Sequence, residues 1–371
     1  MLLTVPIKLL ATPEQKIQLL ALMHKFNEAC NWLSELAFEN GVFKQFDLHD
    51  TFYYELCSRF DLKSQLAIRI IGRVADSYKL NKQIQHSFKK TSSVELDEHL
   101  LNWKQLSTVS ITSLDGRLNI PIAFSNRINL KAKLKKDMIK GSAKLVLKKG
   151  EFYLQAAVEM PEASPKKAKS FLGVDMGIVN LATTSLGENY SGAEVDANRI
   201  RINSLRGRLQ RCGSKSAKRH LKKLSGKERA FKRNANHVIS KKIVQSAQRH
   251  RKSIALEELK GFRKTVIKSQ RERFGKWSFF ELATFITYKA KLKGIEVVKV
   301  DPRMTSRMCS QCKHCEKNNR PSRDIFKCKS CGFTEAADFN AAINIAARAF
   351  INRLIAAGDK SPSSKLTLKK R

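Results

Sequence analysis

The stretch FLGVDMGIVNLA (171–182) decides how the C-terminal half of the chain is read. An apolar run ends there on Asp175, and a second run from Val179 to Thr184 follows, which predicts two short strands with a carboxylate where the first one stops. Two further acids sit in comparable settings. Glu257 closes the apolar run of SIALEELKGF (253–262), and Asp338 opens ADFNAAINIAARA (337–349). Taken singly, each has an ordinary explanation: an aspartate after a strand is commonly a turn residue, and Asp338 could cap the helix that begins with Phe339 and Asn340.

Charge gives those acids their weight. The 371 residues hold 71 Lys and Arg against 33 Asp and Glu, a formal +38, so the chain repels itself unless a polyanion lies on it. Nucleic acid is the expected partner, although phosphate attraction alone fits a ribosomal or chromatin protein equally well. A hydrophobic content of 42% is enough for real cores, and the length suggests two or three domains. No stretch approaches the roughly 18 to 20 uncharged apolar residues of a membrane span. MLLTVPIKLLATPEQ at the start has neither a positive leader nor a cleavage pattern, so a cytoplasmic protein is expected.

Thr12-Pro13-Glu14-Gln15 has the hydroxyl, proline and glutamine of a capped helix start. Apolar residues at Leu19, Leu22, Met23 and Phe26 continue that helix towards Gly41, and Leu66, Ile70 and Val74 mark another within 50–90. The period then shortens. Val109 and Ile111, an Asp115-Gly116 turn, and Leu118, Ile120 and Ile122 predict one hairpin; Leu145, Leu147, the Lys149-Gly150 turn and Phe152 to Val158 predict a second. With a first strand near Leu3 to Leu9 these could close a small β-barrel over 1–11 and 103–160, interrupted by a helical lobe over 12–102. PEASPKKAKS (161–170) reads as a linker.

Beyond the linker, strands at 171–175, 179–184, 253–256 and 295–300 alternate with helices, as a mixed α/β layer fold requires. A basic helical region runs from about 197 to 249 with Arg199, Arg201, Arg206, Arg208, Arg211, Lys215, Lys218 and Arg219. An arbitrary charge run is usually a solvated face. One sign sustained over some fifty residues favours a phosphate track instead. Ser278-x-x-Glu281 is a capping box for a helix carrying Phe279, Ala283, Ile286 and Ala290.

Cys309-x-x-Cys312, fifteen residues, and Cys328-x-x-Cys331 form a zinc signal, since each pair offers two thiolates from one tight turn. Four thiolates leave no open position, so one structural Zn²⁺ is expected, with His314 and Cys315 as spare neighbours. Cys30, Cys57 and Cys212 are expected to be buried or half-buried thiols. The acids suit different chemistry. Phosphodiester hydrolysis by two divalent ions needs oxygen ligands that hold the metals about 4 Å apart, and Mg²⁺ prefers such ligands.

FLGVDMGIVNLATTS, the SIALEEL strand, KAKLKGIEVVKVDP leading into the four cysteines, and DFNAAINIA resemble, in order and spacing, the RuvC-like nuclease of the TnpB family. These proteins are encoded by insertion sequences and are relatives of the compact type V CRISPR effectors. The resemblance covers about 170–350 and is looser over 1–160. It implies an RNase H-like nuclease domain over 171–306 and 334–357, a zinc knuckle at 307–333, a wedge barrel with a recognition lobe before them, and a flexible basic tail at 358–371.

By motif, the resemblance places the catalytic acids at Asp175, Glu257 and Asp338, with two Mg²⁺ ions. It further implies a guide RNA from the transposon end, a double-stranded DNA target beside a short adjacent motif, and a nucleoid location when on target. Met304, Arg307 and Lys313 depart from residues common in the family, a Tyr, a Gln and a Gly. Tyr53, Tyr54, Ser64, Gln65 and Arg69 are candidate readers of the adjacent motif, and Arg199, Arg201, Arg206, Arg208, Lys218 and Arg219 candidate backbone contacts. A nuclease-inactive RNA-guided repressor and a strand-transfer transposase are the alternative readings.

Overall fold

The computed structural model describes residues 1–104, 107–124, 138–165, 168–258 and 279–356. They form two units, divided between Pro161 and Glu162.

In the first unit α1 (Pro13–Glu39) starts where the sequence places it. Thr12 Oγ1 accepts from Gln15 N–H (3.3 Å), and Gln15 Oε1 accepts from Thr12 N–H (3.1 Å). With α2 (Gln45–Phe60) and α3 (Ser64–Leu80), it shares an apolar core with a seven-stranded antiparallel sheet. In chain order the strands are β1 (Leu2–Leu9), β2 (Val94–Leu96), β3 (Leu101–Lys104), β4 (Thr108–Thr112), β5 (Arg117–Phe124), β6 (Ile139–Lys148) and β7 (Glu151–Glu159). The spatial order is β2-β6-β7-β1-β5-β4-β3.

Both expected hairpins are present, as β4–β5 and β6–β7. The helical segment is shorter than expected. Its helices stop at Leu80, and strands from 94 onwards belong to the sheet, so the boundary drawn at 102/103 moves towards the N-terminus. Three- and four-residue strands carry too few alternations to stand out from a loop, which is why β2 and β3 were not legible. These two strands are opposite edges of the sheet, yet only residues 97–100 separate them in the chain. Leu96 and Leu101 are five residue steps apart, at most about 18 Å, so the sheet curls to bring its edges together at that corner.

The second unit is built on a five-stranded sheet: β8 (Phe171–Asp175), β9 (Asn180–Thr184), β10 (Asn189–Ser191), β11 (Ser253–Glu257) and β12 (Val297–Val300). The order is β10-β9-β8-β11-β12; β10, β9 and β8 run antiparallel, and β8, β11 and β12 run parallel. Between β10 and β11 lie α4 (Ala193–Cys212) and α5 (Lys215–Arg249), turning at Gly213 (φ 63°). α6 (Phe279–Leu292) precedes β12, and the capping serine expected at 278 lies outside the described residues. α7 (Ala337–Ala356) follows a small hairpin of β13 (Ile325–Lys327) and β14 (Thr334–Ala336).

Side-chain parity decides what each face of this sheet carries. Leu172, Val174, Ile254 and Leu256 pack against Ile239 and Ile243 of α5 and Leu282 and Ile286 of α6. The alternate residues Phe171 and Ala255 pack with Ile345 and Ala349 of α7. The same parity sends Gly173, Asp175 and Glu257 to the α7 face. Gly173 is the point of closest approach: a Cβ built there would lie 2.0 Å from Ala342 O and 2.7 Å from Ala346 N. Among the described residues no helix is long and apolar enough to cross a membrane.

Candidate metal centres and nucleic-acid surface

Asp175 and Glu257 end neighbouring parallel strands, with Val174 opposite Leu256 in the register. This is the carboxyl end of the sheet, where α/β folds of this kind leave a crevice. Asp338 reaches the same region from the first turn of α7. Asn180 at the start of β9 donates its amide to Asp338 Oδ2 (2.9 Å), and Arg320 Nη2 donates to Asp338 Oδ1 (3.5 Å). Thr305, buried in the loop after β12, donates its hydroxyl to Glu257 Oε1 (2.6 Å).

That loop is strapped to α7. Asn344 donates to the carbonyls of Thr305 (3.0 Å) and Met308 (2.6 Å); Asn340 donates to Met308 O (2.9 Å) and accepts from Ser310 N–H (3.0 Å); Arg348 donates to the carbonyls of Asp301 and Arg303 (both 2.6 Å). Thr305, Asn340, Asn344, Arg320 and Asn180 were not picked out from the sequence. The available signal was the i, i+4 pair of asparagines two and six positions after Asp338, polar residues on an otherwise alanine-lined face.

Burial, followed by repulsion from Glu257 and Asp338, pushes the Asp175 carboxyl up to about 8 despite the opposing field of Arg320. Burial also pushes Glu257 up, against the Thr305 hydrogen bond and the Arg348 charge. Carboxylates that repel one another in a half-buried crevice are a donor set suited to divalent cations. A raised folded-state value stabilises metal-free protein below the ordinary 3.8 and loses that contribution as pH rises through about 8. Mg²⁺-free, zinc-loaded protein is therefore expected to melt lower at pH 8.5 than at pH 6. Asp175→Asn should flatten that slope in a thermal scan; an unchanged slope would remove Asp175 as its source.

The four cysteines converge. Their sulfurs all lie within 4.8 Å of one another, with Cys309 to Cys331 at 3.8 Å and Cys312 to Cys328 at 3.5 Å. Zn–S bonds of ~2.3 Å in a tetrahedron put sulfurs ~3.8 Å apart, so the set fits one Zn²⁺. It is the single such tight group among the described residues; the three carboxylates are spread more widely.

The knuckle has two matching halves. Lys313 N–H donates to Cys309 O and Gly332 N–H to Cys328 O, both at 3.1 Å. Asn319, fully buried, ties them together by donating to Arg307 O (3.0 Å) and His314 O (3.2 Å) and accepting from Lys329 N–H (2.9 Å). His314 pairs with Glu316 instead of joining the thiols, and Cys315 stays outside the group.

Gly332 has φ 76°, and its counterpart Lys313 has φ 64°. A left-handed backbone favours glycine at both positions. Lys313→Gly is expected to stabilise the knuckle by about 0.5–1 kcal/mol, read as slower zinc loss to a chelator. Faster loss would show that the Lys313 side chain, which donates to Ser310 O (2.6 Å), outweighs the strain. Of the other cysteines, Cys30 is buried and Cys57 half-buried as expected, whereas Cys212 is exposed at the end of α4, where no apolar neighbour covers the helix terminus.

The candidate nucleic-acid residues divide. Gln65 and Arg69 both bind Asp97, Arg69 at 3.2 Å, which makes them internal struts; Tyr53 is half-buried and stacks on His49 (4.6 Å). Tyr54, 84% exposed, and Ser64 remain open. On the basic helices Arg199 pairs with Asp196 (2.8 Å) and Arg206 with Glu228 (2.6 Å), while Arg201, Arg208, Lys218 and Arg219 are exposed.

Residues 155–260 match the family described as "Probable transposase" (OrfB_IS605), and residues 279–345 match the Cas12f1-like TNB domain. The CRISPR-associated endodeoxyribonuclease Cas12f1 of Sulfoacidibacillus thermotolerans is 30% identical over 218 residues, 54% of this chain and 50% of that protein. A TnpB-like protein of Methanocaldococcus jannaschii is 33% identical over 128 residues, 34% of this chain and 45% of that protein. The chain's relatives are Cas12f1 and TnpB-like proteins. It spans half or less of these two relatives' own length. Among solved structures, a Cas12f1-sgRNA-target DNA complex aligns with a TM-score of 0.41 and 16% identity, over 93% of this chain and 99% of that one.

Proposed function

We propose that this protein is an RNA-guided, Mg²⁺-dependent DNA endonuclease of the TnpB type, with a RuvC-like site at Asp175, Glu257 and Asp338. One observation carries the reading: two carboxylates end adjacent parallel strands, and a third enters on the helix crossing the same face. A sheet with an antiparallel β10-β9-β8 meander followed by parallel β11 and β12 supports the RNase H-like assignment. The curled sheet and helices of the first unit would be the wedge barrel and recognition lobe, and the tail from 358 lies outside the described residues.

The three acids would hold two Mg²⁺ ions, which when bound supply an activated water and charge for the departing oxygen. Thr305 fixes the rotamer of Glu257, and Asn180 with Arg320 fixes that of Asp338, so the ligands are oriented before metal arrives. The knuckle would hold Zn²⁺ as structure. Guide RNA would select the DNA by base pairing, leaving the protein to read the short adjacent motif and the backbone, in the cytoplasm and on the nucleoid.

The test is cleavage of a plasmid library with a randomised flank by protein co-expressed with its flanking transposon RNA. Cuts that require a guide match, a fixed flank and Mg²⁺ support the reading. RNA bound and targets retained without cutting would favour a repressor, and joined ends a transposase.

A further inference from the structure

The seam between α4 and α5 differs on its two sides. On one side Glu228, the single acid of α5, takes Arg206 (2.6 Å) and Lys232 (2.9 Å), so part of the positive charge is offset. On the other a cleft of about 480 Å³ opens, within the ~300–1,000 Å³ of small-ligand pockets. Its floor is apolar, formed by Ile202, Leu205, Leu224 and Phe231. Arg201, Arg208, His220 and Lys227 form its rim, all exposed and, among the described residues, without a carboxylate partner. A second cavity of about 450 Å³ adjoins it and shares His220; its other walls are Ser216, Arg219 and Lys223.

An apolar floor with an aromatic ring, continued along α5 by a wholly polar, cationic shelf, matches a short run of nucleotides, whose base faces are flat and apolar and whose phosphates are anionic. A solvated helix face would need neither the floor nor the shelf. Resting on the nucleic-acid-binding reading above, we propose that the α4–α5 cleft takes an unpaired base of a nucleic-acid strand. One base lies over Phe231, and the backbone of the same strand continues along α5, over about 12–18 Å, to the shelf of Lys223, His220 and Arg219. A paired base shows neither face, so the occupant is single-stranded; RNA and DNA share this chemistry and are separated by the test.

The full, zinc-loaded chain is titrated without Mg²⁺ against fluorescent single-stranded RNA, single-stranded DNA and duplex, across a salt series. Phe231→Leu should weaken binding of the strand that occupies the cleft about tenfold, leaving duplex binding and salt slope unchanged. Arg219→Gln with Lys223→Gln, on the shelf, should lower the salt slope by about 1.4.

Arg211→Gln with Arg229→Gln removes the same charge away from both cavities. If it acts identically while Phe231→Leu acts within twofold of wild type, the helices are a featureless phosphate track and the cleft proposal fails. Independently of any variant, photocrosslinking of wild type to 5-bromouracil-substituted strands should mark the peptides containing His220 or Phe231; adducts elsewhere only would overturn it. Binding is read without turnover, so loss of the nuclease reading and loss of this one are separate results.

Discussion

Asp175→Ala is expected to lower guided DNA cleavage by about 10³-fold or more while leaving RNA binding and the fold in place. Metal-ion catalysis contributes several kcal/mol to the barrier, and each 1.36 kcal/mol is tenfold in rate. The residue ends β8 on the α7 face, and its removal changes the net charge of +38 by one unit. RNA affinity, set by many cations, should therefore hold. The measurement is single-turnover cleavage beside a filter-binding assay of the same preparation. Cleavage within tenfold of wild type would remove Asp175 from the site, and a matching fall in RNA affinity would show a folding defect instead.

Gly173→Ala should be more disruptive, although it adds one methyl group. The new Cβ would meet backbone, Ala342 O at 2.0 Å and Ala346 N at 2.7 Å, and backbone cannot rotate away as a side-chain tip can. Overpacking of this kind costs about 3 kcal/mol or more, which for a unit of this size corresponds to a melting-temperature fall of roughly 6–12 °C. α7 must lift from β8, and Asp338 lifts with it. Misplacement by about an ångström is enough to cost ~10²-fold in rate, so activity should fall even below the melting transition. Gly207→Ala, inside α4 where an added Cβ would meet nothing within 4 Å, is the control and should raise stability by about 0.5–1 kcal/mol. A melting point within about 2 °C of wild type for Gly173→Ala would mean that α7 does not press on the sheet there.

The strands ending at Asp175 and Glu257, the basic helices and the paired cysteines were legible because each writes its period or spacing into adjacent residues. The two hairpins of the first unit were legible from Asp115-Gly116 and Lys149-Gly150, turn chemistry that is local. What escaped was long-range. Thr305 is one hydroxyl in a loop 48 residues from its partner Glu257, and nothing in its neighbours marks it. Gln65 and Arg69 looked like free recognition residues on a helix, and only the fold brings Asp97 to them. Arg206 read as part of one charge run, yet Glu228 of the next helix holds it; the partner of Arg199, Asp196, lies only three residues before it. The residues of β2 and the first two of β3 were taken into the helical segment because so few alternations cannot define a period.

The loop after β12 and the first turns of α7 are joined by five side-chain hydrogen bonds from Asn340, Asn344 and Arg348 to loop carbonyls. Asn319 closes the knuckle on itself just beyond them. The exposed tip, Pro321 to Asp324, is nevertheless coupled to the acids: Arg320 donates both to Arg323 O (2.6 Å) and to Asp338 Oδ1 (3.5 Å), and Ala337 N–H donates to Asp324 O (2.9 Å). That tip is a handle: a foreign peptide or fluorophore-bearing tag inserted between Ser322 and Arg323 would pull on Asp338 through Arg320 and so report on the carboxylates beneath it.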